Sequence, residues 1–389
     1  MTFGEILRTL REERHWTQHD LQTTGLSRVL ISHYEQGRRL PSFDHVQYLA
    51  DALQVAVDVF FEGRGTAVAY ETVLKAITHG TQAMQRCAWD EAETVWAQAW
   101  TLAMTYHFPQ WAHEILWQRA ETALARQAWS DVITYALPWL AHPEWGVPSD
   151  RPYRVLAVLG TAYRALGQLQ TASLFYQLAQ EYVSEHSDAG LRMAVNRGTC
   201  QWLLGYCEDA CRLFAYARQE AALRGYAVVE AWATVGWTTV LLDGGETVPV
   251  PNALDHVEQL ARLVSDATLN RALQQNRVVL ARLMEDWDLM GELLQSLAHS
   301  YSEDPPPLSL VTEYLYRYAA LGQWNAGEDL LRQARQSVGI GVEVQHFWNA
   351  AAVFYRGRDQ TTRADKAHAF GQLRHLTWNE SWQLFQDIQ

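Results

Sequence analysis

Five side chains in one short stretch, Ser27, Arg28, Val29, Ser32 and His33, have the types and spacing to meet the edges of base pairs. An arginine guanidinium offers two parallel donors that match guanine O6 and N7, and Arg28 is placed for that role; Val29 or Leu30 can rest against a thymine methyl. Ile31 and Tyr34 fall on the opposite side of the same helical turn and face inward. Ser27 can cap this helix, which frees its first turn to project outward. Gln18, Arg38 and Arg39 flank the stretch and suit phosphate oxygens, contacts that set register without reading sequence. His33 is equally at home as a solvated helix residue.

Positioning such a face needs a compact frame, and the first 62 residues read as five short helices, roughly 3–14, 17–23, 27–35, 42–53 and 57–62. Leu7, Leu10, Leu21, Ile31, Tyr34, Leu49 and Leu53 recur at spacings that let them share one small core. Thr17 can cap the second helix with Asp20 capping back, and Gly25 sits where two helices must meet at a tight angle. The Gln at the start of helix two, the run Ile31-Ser32-His33-Tyr34-Glu35-Gln36-Gly37-Arg38-Arg39-Leu40-Pro41-Ser42 and the closing Val57-Asp58-Val59-Phe60-Phe61 resemble an XRE-type, lambda-repressor-like helix-turn-helix domain. The segment from Gln18 to Ser27 is one residue shorter than in phage repressors, which is similar to peptide-sensing regulators of the Rgg and PrgX type.

The overall charge argues the other way. The 389 residues carry a net −13, and the first 65 hold seven arginines against nine carboxylates, a net −2 that leaves −11 for the rest. Phosphate neutralisation supplies most sequence-independent DNA affinity, so one such module binds weakly and a homodimer on a palindromic operator is the expected remedy. A module that keeps the fold and binds protein is the alternative. The longest apolar run, Ala231 to Leu242, is too short to cross a bilayer, and the charged N-terminus reads as a helix surface and not a signal peptide, so a cytoplasmic protein with no membrane partner is expected. Cys87, Cys200, Cys207 and Cys211 lack metal-ligand spacing and read as buried structural thiols; no metal and no cofactor are expected.

Beyond residue 70 the chain repeats itself every 40 residues or so. The clearest copy is Leu156, Leu159, Gly160, Tyr163, Gly167, Ala172, Tyr176 and Ala179, and Gly198, Gly205, Ala210, Phe214 and Ala217 follow it 38 residues on. Small residues let two antiparallel helices approach while an aromatic fills the remaining space. The pattern resembles the tetratricopeptide (TPR) repeat. Trp89, Trp129, Leu169, Cys207, Trp287 and Trp324 mark the start of the second helix of successive pairs, with a degenerate repeat around Asp243-Gly244-Gly245 and Pro249-Val250-Pro251. Trp89, Trp96, Trp129, Trp287 and Trp324 read as inter-helix packing. The expected fold is all-α: a five-helix head over 1–62, a linker over 63–72, and a right-handed TPR-like α-solenoid over 73–389, with about eight helix pairs and a closing C-terminal helix.

TPR proteins commonly hold extended peptides through the first helix of each pair, which here implicates Gln118, Val158, Asn196, Asn276 and Glu313 in turn, followed by Arg119, Arg197 and Arg277 in three of those repeats. Asn196 and Asn276 are the principal candidates for a peptide-backbone clamp, because an amide both donates and accepts. Trp117, Glu121, Arg154, Thr161, Arg192, Thr199, Trp232, Gln275 and Tyr316 are assigned to the same face, with Arg154 and Arg192 suited to carboxylates. Helix-turn-helix plus TPR array resembles the RRNPP family of quorum-sensing regulators, which implies a short signalling peptide in the groove that shifts the two heads about a hinge near Gly63-Arg64-Gly65. A protein-capturing TPR module with an auxiliary head is the second reading. Catalysis is not expected: Lys75 and Lys366, the two lysines, follow no phosphate-loop glycines, and neither His-Glu-x-x-His nor Gly-x-Ser-x-Gly occurs.

Overall fold

The computed structural model describes residues 2–23, 25–39, 41–61, 67–106, 108–141, 151–264, 266–301, 306–337, 339–373 and 377–386; Gly63-Arg64-Gly65 lies outside them. The chain divides into two compact units, Met1–Val147 and Pro148–Gln389.

The first unit begins with α1 (Phe3–Glu13), α2 (Arg28–Glu35), α3 (Phe43–Leu53) and a 3-10 turn (Val57–Phe61). Each α-helix starts at a hydroxyl cap. Thr2 and Glu5 form a full capping box, Ser27 Oγ accepts from Leu30 N at 3.2 Å, and Ser42 Oγ accepts from His45 N at 3.3 Å. Gly37 (φ +70°) closes α2, as Arg38 N reaches His33 O at 2.9 Å. The expected second helix is absent: residues 17–22 form turns. The Asp20 carboxylate does cap back, accepting from Thr17 N at 2.6 Å and from Thr17 Oγ1 at 2.8 Å. Yet the cap has no helix to propagate, because Thr23 pairs with Leu26 in an isolated bridge, and a few residues do not repay the nucleation cost. Of the predicted core, Leu7, Leu21, Ile31, Tyr34, Leu49 and Leu53 are buried, and Leu10 packs against them half-covered.

Two helix pairs complete this unit: α4 (Ala67–Gln85) with α5 (Trp89–Thr105), and α6 (Pro109–Ala125) with α7 (Trp129–Ala136), ending in a 3-10 turn (Leu137–Ala141). The head and the first pairs share one apolar core that runs from Phe3 through Phe60 to Tyr70, Trp96 and Ile115. Tyr70 of α4 donates its hydroxyl to the Pro41 carbonyl at 2.9 Å, buried between the rings of Phe108 and Trp111.

The second unit contains α8 (Arg151–Ala165), α9 (Leu169–Gln180), α10 (Asp188–Leu203), α11 (Cys207–Arg224), α12 (Ala227–Asp243), α13 (Val250–Val264), α14 (Ala267–Leu283), α15 (Trp287–His299), α16 (Leu308–Ala320), α17 (Trp324–Ala334), α18 (Val342–Gly357), α19 (Thr361–Gly371) and α20 (Trp378–Gln386). With the first unit this makes eight pairs and a closing helix among the described residues. The six marker residues are the first residues of α5, α7, α9, α11, α15 and α17. Glycine–aromatic nesting recurs sixteen residues apart, at Gly80/Trp96, Gly160/Tyr176 and Gly198/Phe214; a Cβ on any of these glycines would lie 2.6–2.9 Å from the ring. Within this unit the curvature is tight enough for Leu169, Leu203 and Val342 to share a buried cluster, so the start of α18 packs on the end of α10.

The cysteine expectation needs correcting. Cys200 is buried, but Cys87, in a left-handed turn residue (φ +57°), and Cys207, which opens α11, are exposed. No described helix is long and apolar enough to cross a membrane, and no metal-binding group of His, Cys, Asp and Glu occurs among the described residues.

Candidate nucleic-acid interface and ligand face

On α2 the base-reading candidates stand on a braced helix. Ser27 and Arg28 are exposed, Val29 is 64% exposed, and Ser32 and His33 are half-buried, with Ser32 Oγ accepting from Gln36 Nε2 at 3.2 Å. Ile31 and Tyr34 anchor the other side, and Tyr34 hydroxyl meets His45 Nδ1 at 2.7 Å, tying α2 to α3. A feature missed in the sequence holds the assembly: Arg11 grips Glu35 through Nε (2.5 Å) and Nη2 (3.1 Å) and reaches Trp16 O through Nη1 (2.7 Å). This pair is largely covered, and hydrogen bonding to Glu35 pushes the Arg11 pKa up. Glu35 also accepts from Gln18 Nε2 at 2.9 Å, so the Gln18 amide is partly committed inside the head. Arg38 and Arg39, exposed just past Gly37, leave the basic edge open on the same end of α2.

The array candidates divide sharply. Trp117 is buried, so it is a packing residue and not part of an open groove. Asn276 is 4% exposed and its amide is spent: Nδ2 donates to Val235 O (3.0 Å) and Thr238 Oγ1 (2.9 Å), while Oδ1 accepts from Thr239 at 3.1 Å. It bolts α14 to α12. Gln118 donates to Glu114 at 3.1 Å, Arg192 pairs with Asp188 at 2.5 Å, Thr161 meets the Tyr176 hydroxyl at 3.1 Å, and Thr199 bonds its own helix at Val195 O. Trp232 Nε1 reaches Asp266 at 3.2 Å. Glu121 and Arg154 are half-buried, and so is Val158. Asn196 is half-buried with its amide uncommitted, and Gln275 Oε1 is buried without a partner.

In the second unit, first helices bring together a cluster that the sequence revealed only in part. Arg282 of α14 donates Nε to Glu313 of α16 at 2.7 Å and lies 4.4 Å over the Tyr316 ring. Asp243, ending α12, accepts from Trp202 of α10 at 2.5 Å and stands 3.7 Å from His346 of α18. Glu313 is 4% exposed; burial drives its pKa up, while Arg282 and His346 pull it back. Five successive first helices thus contribute to one mixed-charge, aromatic surface. Glu313 and Tyr316 carried a phase signal; Trp202, Asp243 and Arg282 lie at helix ends, outside the repeat positions considered.

Residues 2–60 match the family of helix-turn-helix domains, and the head is one. No curated protein matches the sequence. Among solved structures the chain is similar to the apo form of RapI, at a TM-score of 0.55 and 8% identity over 89% of this chain and 94% of that one. Fainter likenesses are to PlcR of Bacillus thuringiensis in complex with the peptide PapR7 and DNA (TM-score 0.39, 14% identity, 70% of this chain and 98% of that one) and to a tetratricopeptide repeat protein of Parabacteroides merdae (0.42, 14%, 70% and 98%). The chain is a helix-turn-helix domain joined to a TPR-like helical array.

Proposed function

We propose that this protein is a cytoplasmic, homodimeric, sequence-specific DNA-binding regulator of transcription, resembling the RRNPP regulators, in which α2 reads a palindromic operator and the repeat array takes a short signalling peptide. It acts by binding and not by catalysis. The observation that carries the DNA reading is the bare Arg28–Val29 edge on a capped helix held by the Arg11–Glu35 pair. Two such edges presented roughly 34 Å apart would span adjacent major grooves. For the peptide, the surface formed by Trp202, Asp243, Arg282, Tyr316 and His346, with Glu313 buried beneath as the counter-charge of Arg282, supplies charge and aromatic contact, and Asn196 offers an uncommitted amide. Asn276 and Trp117 have no part in it, being consumed by the fold.

The experiment is selection of operators from random duplexes by the native full-length protein and by Arg28→Ala, with sedimentation of the complexes and mass spectrometry of co-purifying peptides. A common palindrome enriched by the wild type, and relaxed at one base step in the variant, is the expected result. Failure to enrich any duplex favours the second reading, capture of a protein partner by the array. The net −2 of the first 65 residues and the internal use of Arg11 and Gln18 favour that reading.

A further inference from the structure

Arg119, Arg197 and Arg277 occupy the same repeat position, one residue past the residue assigned to the groove, but they do not meet the same surroundings. Arg119 is neutralised by Glu93, through Nε at 3.1 Å and Nη2 at 2.6 Å, and also bonds and stacks on Tyr135. Arg277 is neutralised by Glu258 at 2.6 Å, with Asp255 at 3.4 Å. Arg197 alone of the three has no carboxylate. Its Nη1 meets the neutral amide oxygen of Gln180 at 3.1 Å, and its Nε is buried without any acceptor. A half-buried guanidinium loses hydration without gaining a counter-charge, which is unfavourable unless something else supplies one.

The space for that partner exists. Arg197 lines a cavity of about 420 Å³ between α9, α10 and α11, with Gln177, Gln180, Ala194, Leu213 and Tyr216 around it. Glu181 and Glu185 stand on the same wall without pairing to Arg197, and Glu185 accepts instead from the Tyr216 hydroxyl at 3.1 Å. We propose that this cavity is a binding site for a carboxylate carried on an acidic side chain of a polypeptide partner, received by Arg197. The guanidinium edge matches a carboxylate in two parallel hydrogen bonds. Gln177 and Gln180 can donate to its oxygens, and Ala194 and Leu213 give its methylenes an apolar floor. The two glutamates at the wall make a singly charged group more acceptable than a dianionic phosphate. This site does not depend on the peptide reading of the inner surface.

The test is arginine Nε–H nuclear magnetic resonance on full-length protein, titrated with N-acetyl-aspartate amide, N-acetyl-asparagine amide and inorganic phosphate in separate arms. The Arg197 resonance is identified by its loss in Arg197→Lys and, independently, in Arg197→Gln, with melting curves establishing that each variant folds. The expected result is a saturable shift of that resonance with the aspartate probe, at least about tenfold weaker with the asparagine probe, and no movement of the Arg277 resonance. An unmoved Arg197 resonance, an equal response to the asparagine probe, or a stronger response to phosphate would each overturn the assignment.

Discussion

The reading edge of α2 and the inner surface of the second unit expose opposite habits of the same chain. In the head, most residues nominated for contact are left outside: Arg11 and Glu35 lock together so that Arg28 and Val29 need not, and of the nominated set Gln18 and Ser27 also brace the frame. In the array, nominated residues are drawn inward. Asn276 and Trp117 become structure, and the open polar surface falls to side chains at helix ends. A short helix capped at both ends fixes which face is free; a stack of repeats decides it only once neighbouring pairs have closed on one another.

The largest effect that separates the two regions is expected from Trp96→Ala. It empties the space over Gly80 inside the core shared by head and first pairs and should lower unfolding stability by about 3–5 kcal/mol in urea melts. A loss below about 1 kcal/mol would mean the nest is not part of that core. Asn276→Ala should cost about 2–3 kcal/mol, because it removes the three hydrogen bonds by which α14 holds Val235, Thr238 and Thr239 of α12, while specific DNA affinity at temperatures below the melt stays unchanged. If ligand response vanished with stability intact, Asn276 would return to the binding surface. Arg28→Ala should do the reverse, sparing stability but weakening specific operator binding by about 1–3 kcal/mol in anisotropy titrations. Ser27→Ala removes the cap under that edge, and a fall of about 1 kcal/mol in thermal stability is expected. The smallest effect concerns pH. The Glu313 pKa is raised on folding, so the folded state binds its proton more tightly, and stability is present at low pH and lost as pH rises through the raised value. Glu313→Gln should flatten that decline above the ordinary carboxylate value of 4.5 in denaturation midpoints; an unchanged slope would show that Arg282 fully offsets burial.

Much of the array was legible because its spacing is set by steric demands that recur from pair to pair. In three pairs a glycine faces an aromatic sixteen residues on, and the turn before every second helix but α13 has one length, so Trp89, Trp129 and Trp324 fall at helix starts. The head was legible from its caps and its apolar spacing. Residues 17–22 misled because an Asp20 carboxylate accepting from Thr17 looks the same whether a helix or a single turn follows. Arg282, Asp243 and His346 were illegible for a different reason. Their proximity comes from the curvature that seats Val342 near Leu203, a distance of well over a hundred residues that no single repeat encodes.

The Tyr70 hydroxyl on the Pro41 carbonyl carries a practical corollary for anyone dissecting the molecule. A fragment ending at Phe61 would keep every helix of the reader, yet would leave the chain just past Arg39 without its anchor and bare the apolar side of Phe60 and Leu53 that the shared core now covers. The smallest faithful excerpt therefore ends beyond α6, where Phe108 and Trp111 still flank Tyr70.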